Sequence, residues 1–261
     1  MTYLMETKSE GERLLAQEIA NPSLGRLRDI GLSKGMHVAD IGCGAGAQLS
    51  AMLELVGETG QVTGVDPSLD RLALARQVTP GSPNLELKRG GLPSTGLESA
   101  SFDLVWSQFV LEYLPEPAAA VEELVRLTKP GGRVAVSEID GLGLDAWPMP
   151  DVVARGIEVL MPMLSKTGFD IHVGRKMFSL FRQAGLREVE VRLWPLYIAA
   201  GRADRRLIDD WQQRFAALRP LAVSAFGTEA AWDAFCRGAL ELFASPDALK
   251  YSVLLVTTGV R

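Results

Sequence analysis

Short apolar runs alternate with helically spaced apolar residues through the first half of the chain. MHVADI, at 36–41, reads as a buried strand. The stretch after it, GAQLSAMLELVG, sets Leu49, Met52, Leu53 and Val56 at helical spacing, and Gly57 suits the C-cap. QVTGVD is a second strand ending at Asp66, DRLALARQV a second helix, NLELK a third strand and SFDLVW a fourth. PAAAVEELVRL puts Val121, Leu124 and Val125 on one helical side. KPGG then predicts a turn with Pro130 and Gly131 at its corners, and RVAVSEI a fifth strand. Ahead of all this the first thirty residues read as helical, with Leu14, Leu15 and Ile19 sharing a face until Pro22 interrupts.

Past residue 145 the rhythm changes. A helix is predicted over about Val152 to Leu164, and GRKMFSLFRQAGL gives another that stops at Gly185. REVEVRLW alternates as a strand, and KYSVLLVTTGV near the C-terminus predicts one more. Between these two strands lies a mostly helical insert, about residues 200–246, carrying Trp211, Phe215, Trp232, Phe235 and Phe243. Strands alternating with helices imply βαβ units, right-handed crossovers and a parallel sheet between helical layers. The whole of 1–261 therefore reads as a single α/β domain.

Composition narrows the function classes. The chain is 47% hydrophobic and 23% charged, an ordinary globular balance, and no apolar run approaches a membrane span. The N-terminus has no apolar signal core, and Cys43 and Cys236 form neither a disulfide nor a metal pattern, so a reduced cytoplasm is expected and no metal. With a formal charge of −5 and no dense basic block, nucleic acid is not the favoured partner.

The chemistry concentrates in VADIGCGAG, residues 38–46. At the carboxyl end of a first parallel strand, Gly42, Gly44 and Gly46 permit positive φ and close backbone approach to a ligand. The helix that follows offers unpaired N–H groups. A second strand ending in Asp66 puts a carboxylate where ribose hydroxyls can donate to it. Together these point to a nucleoside cofactor. The glycines also fit the looser dinucleotide pattern, with Ala47 last. Asp40, two residues before the first glycine, argues against a pyrophosphate and for a ligand with an ammonium group, such as the amino-acid end of S-adenosylmethionine.

VADIGCGAG followed by VTGVD, SFDLVWSQFVLEYL, KPGGRVAV and GRKMFSLFRQAGL resembles the class I S-adenosylmethionine-dependent methyltransferases, closest to the small-molecule group of quinone-biosynthesis and natural-product enzymes. The resemblance covers about residues 9–195 and the last strand. It implies a Rossmann-like seven-stranded sheet, order 3-2-1-4-5-7-6 with strand 7 antiparallel, helices on both faces, and S-adenosyl-L-methionine as cofactor. It places Asp40, Gly42, Gly44 and Gly46 around the methionine part, Asp66 on the ribose and Pro67 beside the adenine. Ser107, Gln108 and Phe109 would line the sulfonium side. Where the family carries Gly-Asp-Ala after the third strand, this chain has Gly90, Gly91 and Leu92, so the adenine-binding acid is missing and Gly91 and the Leu92 backbone stand in its place. An N-terminal helical lid, about 1–30, would bring Tyr3 and Gln17 to the cofactor.

Methyl transfer from a sulfonium is a direct in-line displacement. The protein must chiefly orient the reactants and exclude water, and a base is needed only for a protonated nucleophile. Glu138 and His172 are the candidates for that base, with Asp140 beside Glu138 and Tyr113 after the fourth strand as further polar groups at the ligand edge. His37 opens the first strand at the opposite edge, and Cys43 has no paired base. The aromatic insert is read as a roof over the acceptor, which favours a small apolar or aromatic one, or else as ordinary packing or a homodimer interface. Two alternatives stay open: a nicotinamide-dependent oxidoreductase, and a protein of the same fold that binds S-adenosylmethionine without methylating.

Overall fold

The computed structural model describes Gly11, Leu15 and residues 23–261. Tyr3, Gln17 and most of the expected lid lie outside the described residues. Within them, helix α1 (Leu24–Asp29) precedes β1 (His37–Ile41), α2 (Leu49–Val56), β2 (Gln61–Asp66), α3 (Leu69–Val78) and β3 (Leu85–Arg89). There follow β4 (Phe102–Gln108), a 3-10 turn at Leu111–Tyr113, α4 (Pro117–Leu127) and β5 (Thr128–Ile139). The second half holds β6 (Asp145–Trp147), α5 (Asp151–Lys166), α6 (Val173–Gln183), β7 (Arg187–Ala200), α7 (Arg205–Phe226), α8 (Glu229–Ala244) and β8 (Leu249–Val260).

Strands β3, β2, β1, β4 and β5 pair in parallel in that spatial order. β8 is antiparallel to β5 on one side and to β7 on the other. This is the expected order, with β7 and β8 in the places of the sixth and seventh strands. The sheet has eight strands rather than seven. β8 runs on past Ile139, the last β5 residue it pairs, and Asp145–Trp147 covers the bare edge at Leu249–Tyr251. An unpaired strand edge is costly to leave bare when chain is close at hand. KPGG is not a free turn but an irregularity inside β5: Thr128 pairs with Phe102, and the register resumes only at Arg133 with Leu104. Gly131, at φ +80, donates to the carbonyl of Arg261, the residue after β8, and so the loop is tied down.

Two cores sandwich the sheet. Leu27, Leu49, Met52, Val56 and Leu72 from α1–α3 close one face over Val38, Val62 and Trp106. Val121, Leu124, Val173, Met177 and Phe181 from α4 and α6 close the other. A third core joins the insert helices α7 and α8 to α5 and to Leu144. The insert aromatics are buried there against one another; Trp211 stacks on Phe243 at 5.6 Å, and Phe215 meets Trp232 and Phe235 edge-on. Those side chains thus form a core with α5 and the chain leaving β5. No described helix is long and apolar enough to cross a membrane.

Candidate cofactor and acceptor site

Parallel pairing puts the carboxyl ends of β1, β2, β4 and β5 on one edge, and the candidate residues gather there. Val65 C=O accepts from the amides of both Gly42 (2.7 Å) and Cys43 (3.0 Å), which bends the chain sharply off β1. Gly42, Gly44 and Gly46 all have positive φ, at 85°, 54° and 81°. At Gly42 and Gly46 the missing side chain also makes room for protein. An added Cβ would stand 2.2 Å from Val110 Cγ2 at the first and 2.9 Å from Ala75 Cβ at the second.

Asp66 is buried at the end of β2. Its Oδ2 accepts from Gly44 N–H (3.0 Å) and its Oδ1 from Ser68 N–H (2.9 Å). Burial raises its pKa, and the Ser68 amide, Arg71 and the Gly44 amide oppose that rise. Each oxygen keeps a lone pair for a ligand hydroxyl. Asp40, also buried, is the last residue but one of β1. Both acids lie near Cys43: burial first, then Asp40 and Asp66, push its thiol pKa far upward, so the thiol stays protonated. Both carboxylates therefore act electrostatically on the turn between them.

The register Asp66 with Arg89 brings the chain after β3 beside Pro67. Among the described residues, the three atoms nearest a Cβ added at Gly91 belong to Pro67, at 3.7–3.8 Å, ordinary contact distance. Leu92 is partly buried against the α4 and α6 core. Ser107 is buried and gives its hydroxyl proton to the Ile41 carbonyl (2.9 Å), tying β4 to β1. Phe109 takes a left-handed φ of 56° while its N–H is held by the Ser137 carbonyl, a strained conformation of the kind concentrated at functional sites. Gln108 joins a network that sequence reading missed: Trp106 Nε1–H donates to Gln48 Oε1 (2.6 Å), and Gln48 Nε2 donates to Gln108 Oε1 (2.9 Å). A glutamine where a helix N-cap belongs, in GAQLS, was the available signal.

Glu138 is fully buried at the end of β5. Its Oε1 accepts from Val110 N–H (3.0 Å) and Leu111 N–H (2.8 Å), pinning the segment after β4. Burial, with the nearby carboxylate of Glu112 second, raises its pKa well above the usual range. His172 N-caps α6, and its Nδ1 is 3.2 Å from Asp140 Oδ1, just past β5. Arg175 Nε also donates to that oxygen (2.6 Å), while the His172 backbone amide is fixed by Asp170 Oδ1. His172 and Asp140, far apart in sequence, come within hydrogen-bond distance of one another just past the carboxyl end of β5. Tyr113 packs on Phe169, ring centroids 4.9 Å apart.

A family model described as "Methyltransferase domain" matches residues 39–136. A demethylmenaquinone methyltransferase of Staphylococcus aureus (strain MRSA252) is 37% identical over 140 residues, 54% of this chain and 57% of that relative. The same-named protein of strain JH9 is 29% identical over 188 residues, 67% of this chain and 77% of that relative. The match to the first thus spans little more than half of its length. Phosphoethanolamine N-methyltransferase 2 of Haemonchus contortus, solved with phosphomonomethylethanolamine and S-adenosylhomocysteine, shares the fold. Its TM-score is 0.62 at 17% identity, covering 100% of this chain and 61% of that one.

Proposed function

We propose that this chain is an S-adenosylmethionine-dependent methyltransferase that methylates a small aromatic acceptor of quinol type by in-line displacement; the methyltransferase-domain match over residues 39–136 and the Staphylococcus aureus relatives support the reading. The observation that carries the cofactor reading is the pair of buried acids, Asp40 and Asp66, flanking a positive-φ glycine turn. The residues present fit a nucleoside with a cationic tail: Asp66 has lone pairs for ribose hydroxyls, Asp40 supplies a second buried carboxylate beside the turn for an ammonium, and Pro67 with Gly91 offers an apolar flank for a base. When bound, the cofactor supplies an electrophilic methyl on sulfur. The acceptor reading is supported by the name of the Staphylococcus aureus relatives, demethylmenaquinone methyltransferase.

A quinol hydroxyl must lose its proton for its oxygen or ring carbon to attack. His172 is the group proposed to take it. Asp140 accepts from Nδ1–H and so favours the tautomer that leaves Nε2 open as a base. Glu138 and Ser107 hold the acceptor-side backbone through Val110, Leu111 and Ile41. Orientation of this kind supplies on the order of several kcal/mol of the barrier reduction.

Titration calorimetry with S-adenosylmethionine and S-adenosylhomocysteine tests the cofactor half. The wild type should bind both, and Asp66→Ala and Asp40→Ala should each weaken binding by roughly tenfold or more. Transfer of labelled methyl to a demethylated naphthoquinol tests the acceptor half. His172→Ala should lower kcat by about 10²–10⁴ without changing cofactor affinity. A wild type that gives no heat with either compound would overturn the reading.

A further inference from the structure

We infer that Trp106 and Gln48 are positioning residues that fix the polarity of Gln108, so that its amide NH₂ is presented at the ligand edge as a donor to a ligand oxygen. The inference rests on the methyltransferase reading and adds to it a recognition element with a defined sense.

Donor and acceptor chemistry sets the sense of each amide in turn. An indole N–H can only donate. Trp106 is wholly buried, and its Nε1 lies 2.6 Å from Gln48, so Gln48 must turn its carbonyl oxygen toward it. That sets the Gln48 NH₂ on the other side, where it lies 2.9 Å from Gln108. Gln108 must then turn its own carbonyl toward Gln48, and its NH₂ is left facing away. Amide orientation is often ambiguous from atom positions alone. Here the indole removes the ambiguity for both amides in turn. Among the described residues the Gln108 NH₂ has no partner, and Gln108, unlike Gln48, is only partly buried. It sits at the carboxyl end of β4, next to the strained Phe109 and two strand widths from Asp66. A fixed donor there selects an anionic or carbonyl oxygen. Two sources have that chemistry: the carboxylate of the cofactor's amino-acid tail, and an oxygen of the methyl acceptor.

Two variants reverse the outward polarity without removing bulk. Gln48→Glu still accepts from Trp106 but offers Gln108 only an acceptor, so Gln108 must flip and present its carbonyl. Gln108→Glu keeps the chain of bonds and presents a carboxylate oxygen. Both should keep the wild-type unfolding midpoint to within a few degrees. Calorimetry with S-adenosylhomocysteine and with 5′-methylthioadenosine, which lacks the amino-acid tail, separates the sources. If the oxygen is the tail carboxylate, both variants raise the S-adenosylhomocysteine Kd at least tenfold and leave that of methylthioadenosine unchanged. If it belongs to the acceptor, cofactor Kd is unchanged and KM for a demethylated naphthoquinol rises at least tenfold. Either result supports the inference. Folded variants that move neither constant more than twofold, in a wild-type background that binds and methylates, overturn this inference alone. A wild type that binds neither nucleoside overturns the methyltransferase reading and this one with it.

Discussion

Gly42 offers a sharp test of how the cofactor turn is built. Its φ is +85°, and an added Cβ would stand 2.2 Å from Val110 Cγ2, well inside van der Waals contact. Two separate costs follow from Gly42→Ala. A left-handed conformation costs an L-residue about 1–2 kcal/mol, and forcing a methyl into packed protein costs about 1–3 kcal/mol. The sum is a destabilisation of about 2–5 kcal/mol. Val110→Ala removes the atom that clashes, at a loss of at most about 1.5 kcal/mol for two carbons of a partly buried side chain. In the double variant the steric cost disappears and only the φ cost survives. The coupling between the sites should therefore be about 1–3 kcal/mol, favouring the double variant over the sum of the singles. Urea unfolding of the four proteins, with the slopes checked for equality, measures it. A coupling below about 0.5 kcal/mol, the usual additivity error, would show that the turn relaxes away from Val110 and would refute the reasoning.

Glu138 predicts a pH effect whose sign is fixed. Its folded pKa lies well above the ordinary 4.5, chiefly through burial, so the folded state keeps a proton that the unfolded chain releases. Stability from this group is complete below the unfolded pKa and declines as pH rises toward the folded one, by up to about 1.4 kcal/mol per pH unit. Glu138→Gln should flatten the decline between pH 5 and 8 in urea titrations; parallel profiles for wild type and variant would contradict it. At the adenine flank, Gly91→Asp should fold normally, because among the described residues the three atoms nearest the new Cβ are those of Pro67, at ordinary contact. Gly90→Ala should be destabilised by the Thr95 carbonyl at 2.5 Å. Calorimetry should find S-adenosylmethionine bound more tightly by Gly91→Asp, by roughly tenfold for one charge-assisted hydrogen bond; unchanged affinity would place the adenine elsewhere.

The sequence by itself determined the layered architecture. Runs such as MHVADI and QVTGVD, set between helically spaced segments, leave little choice but a parallel sheet, because burial periodicity is local and legible residue by residue. Parallel strands all end at one edge, so chain order and periodicity suffice to put the acids at the carboxyl ends of β1 and β2, and the glycines between them, on that edge together. Cross-strand partners are a different matter. That Gly42 lies under Val110, that Ser107 bonds the Ile41 carbonyl, and that Glu138 holds the amides of Val110 and Leu111 depend on register and on the direction of each side chain. Neither is written in composition or spacing. The same holds for β6, too short to alternate and formed only because β8 outruns β5, and for KPGG, drawn into β5 by Arg261. Tertiary structure alone brought His172 to Asp140 and lined up Trp106, Gln48 and Gln108. Hydrogen-bond polarity passes through space between side chains, and the chain order of those residues carries no trace of it.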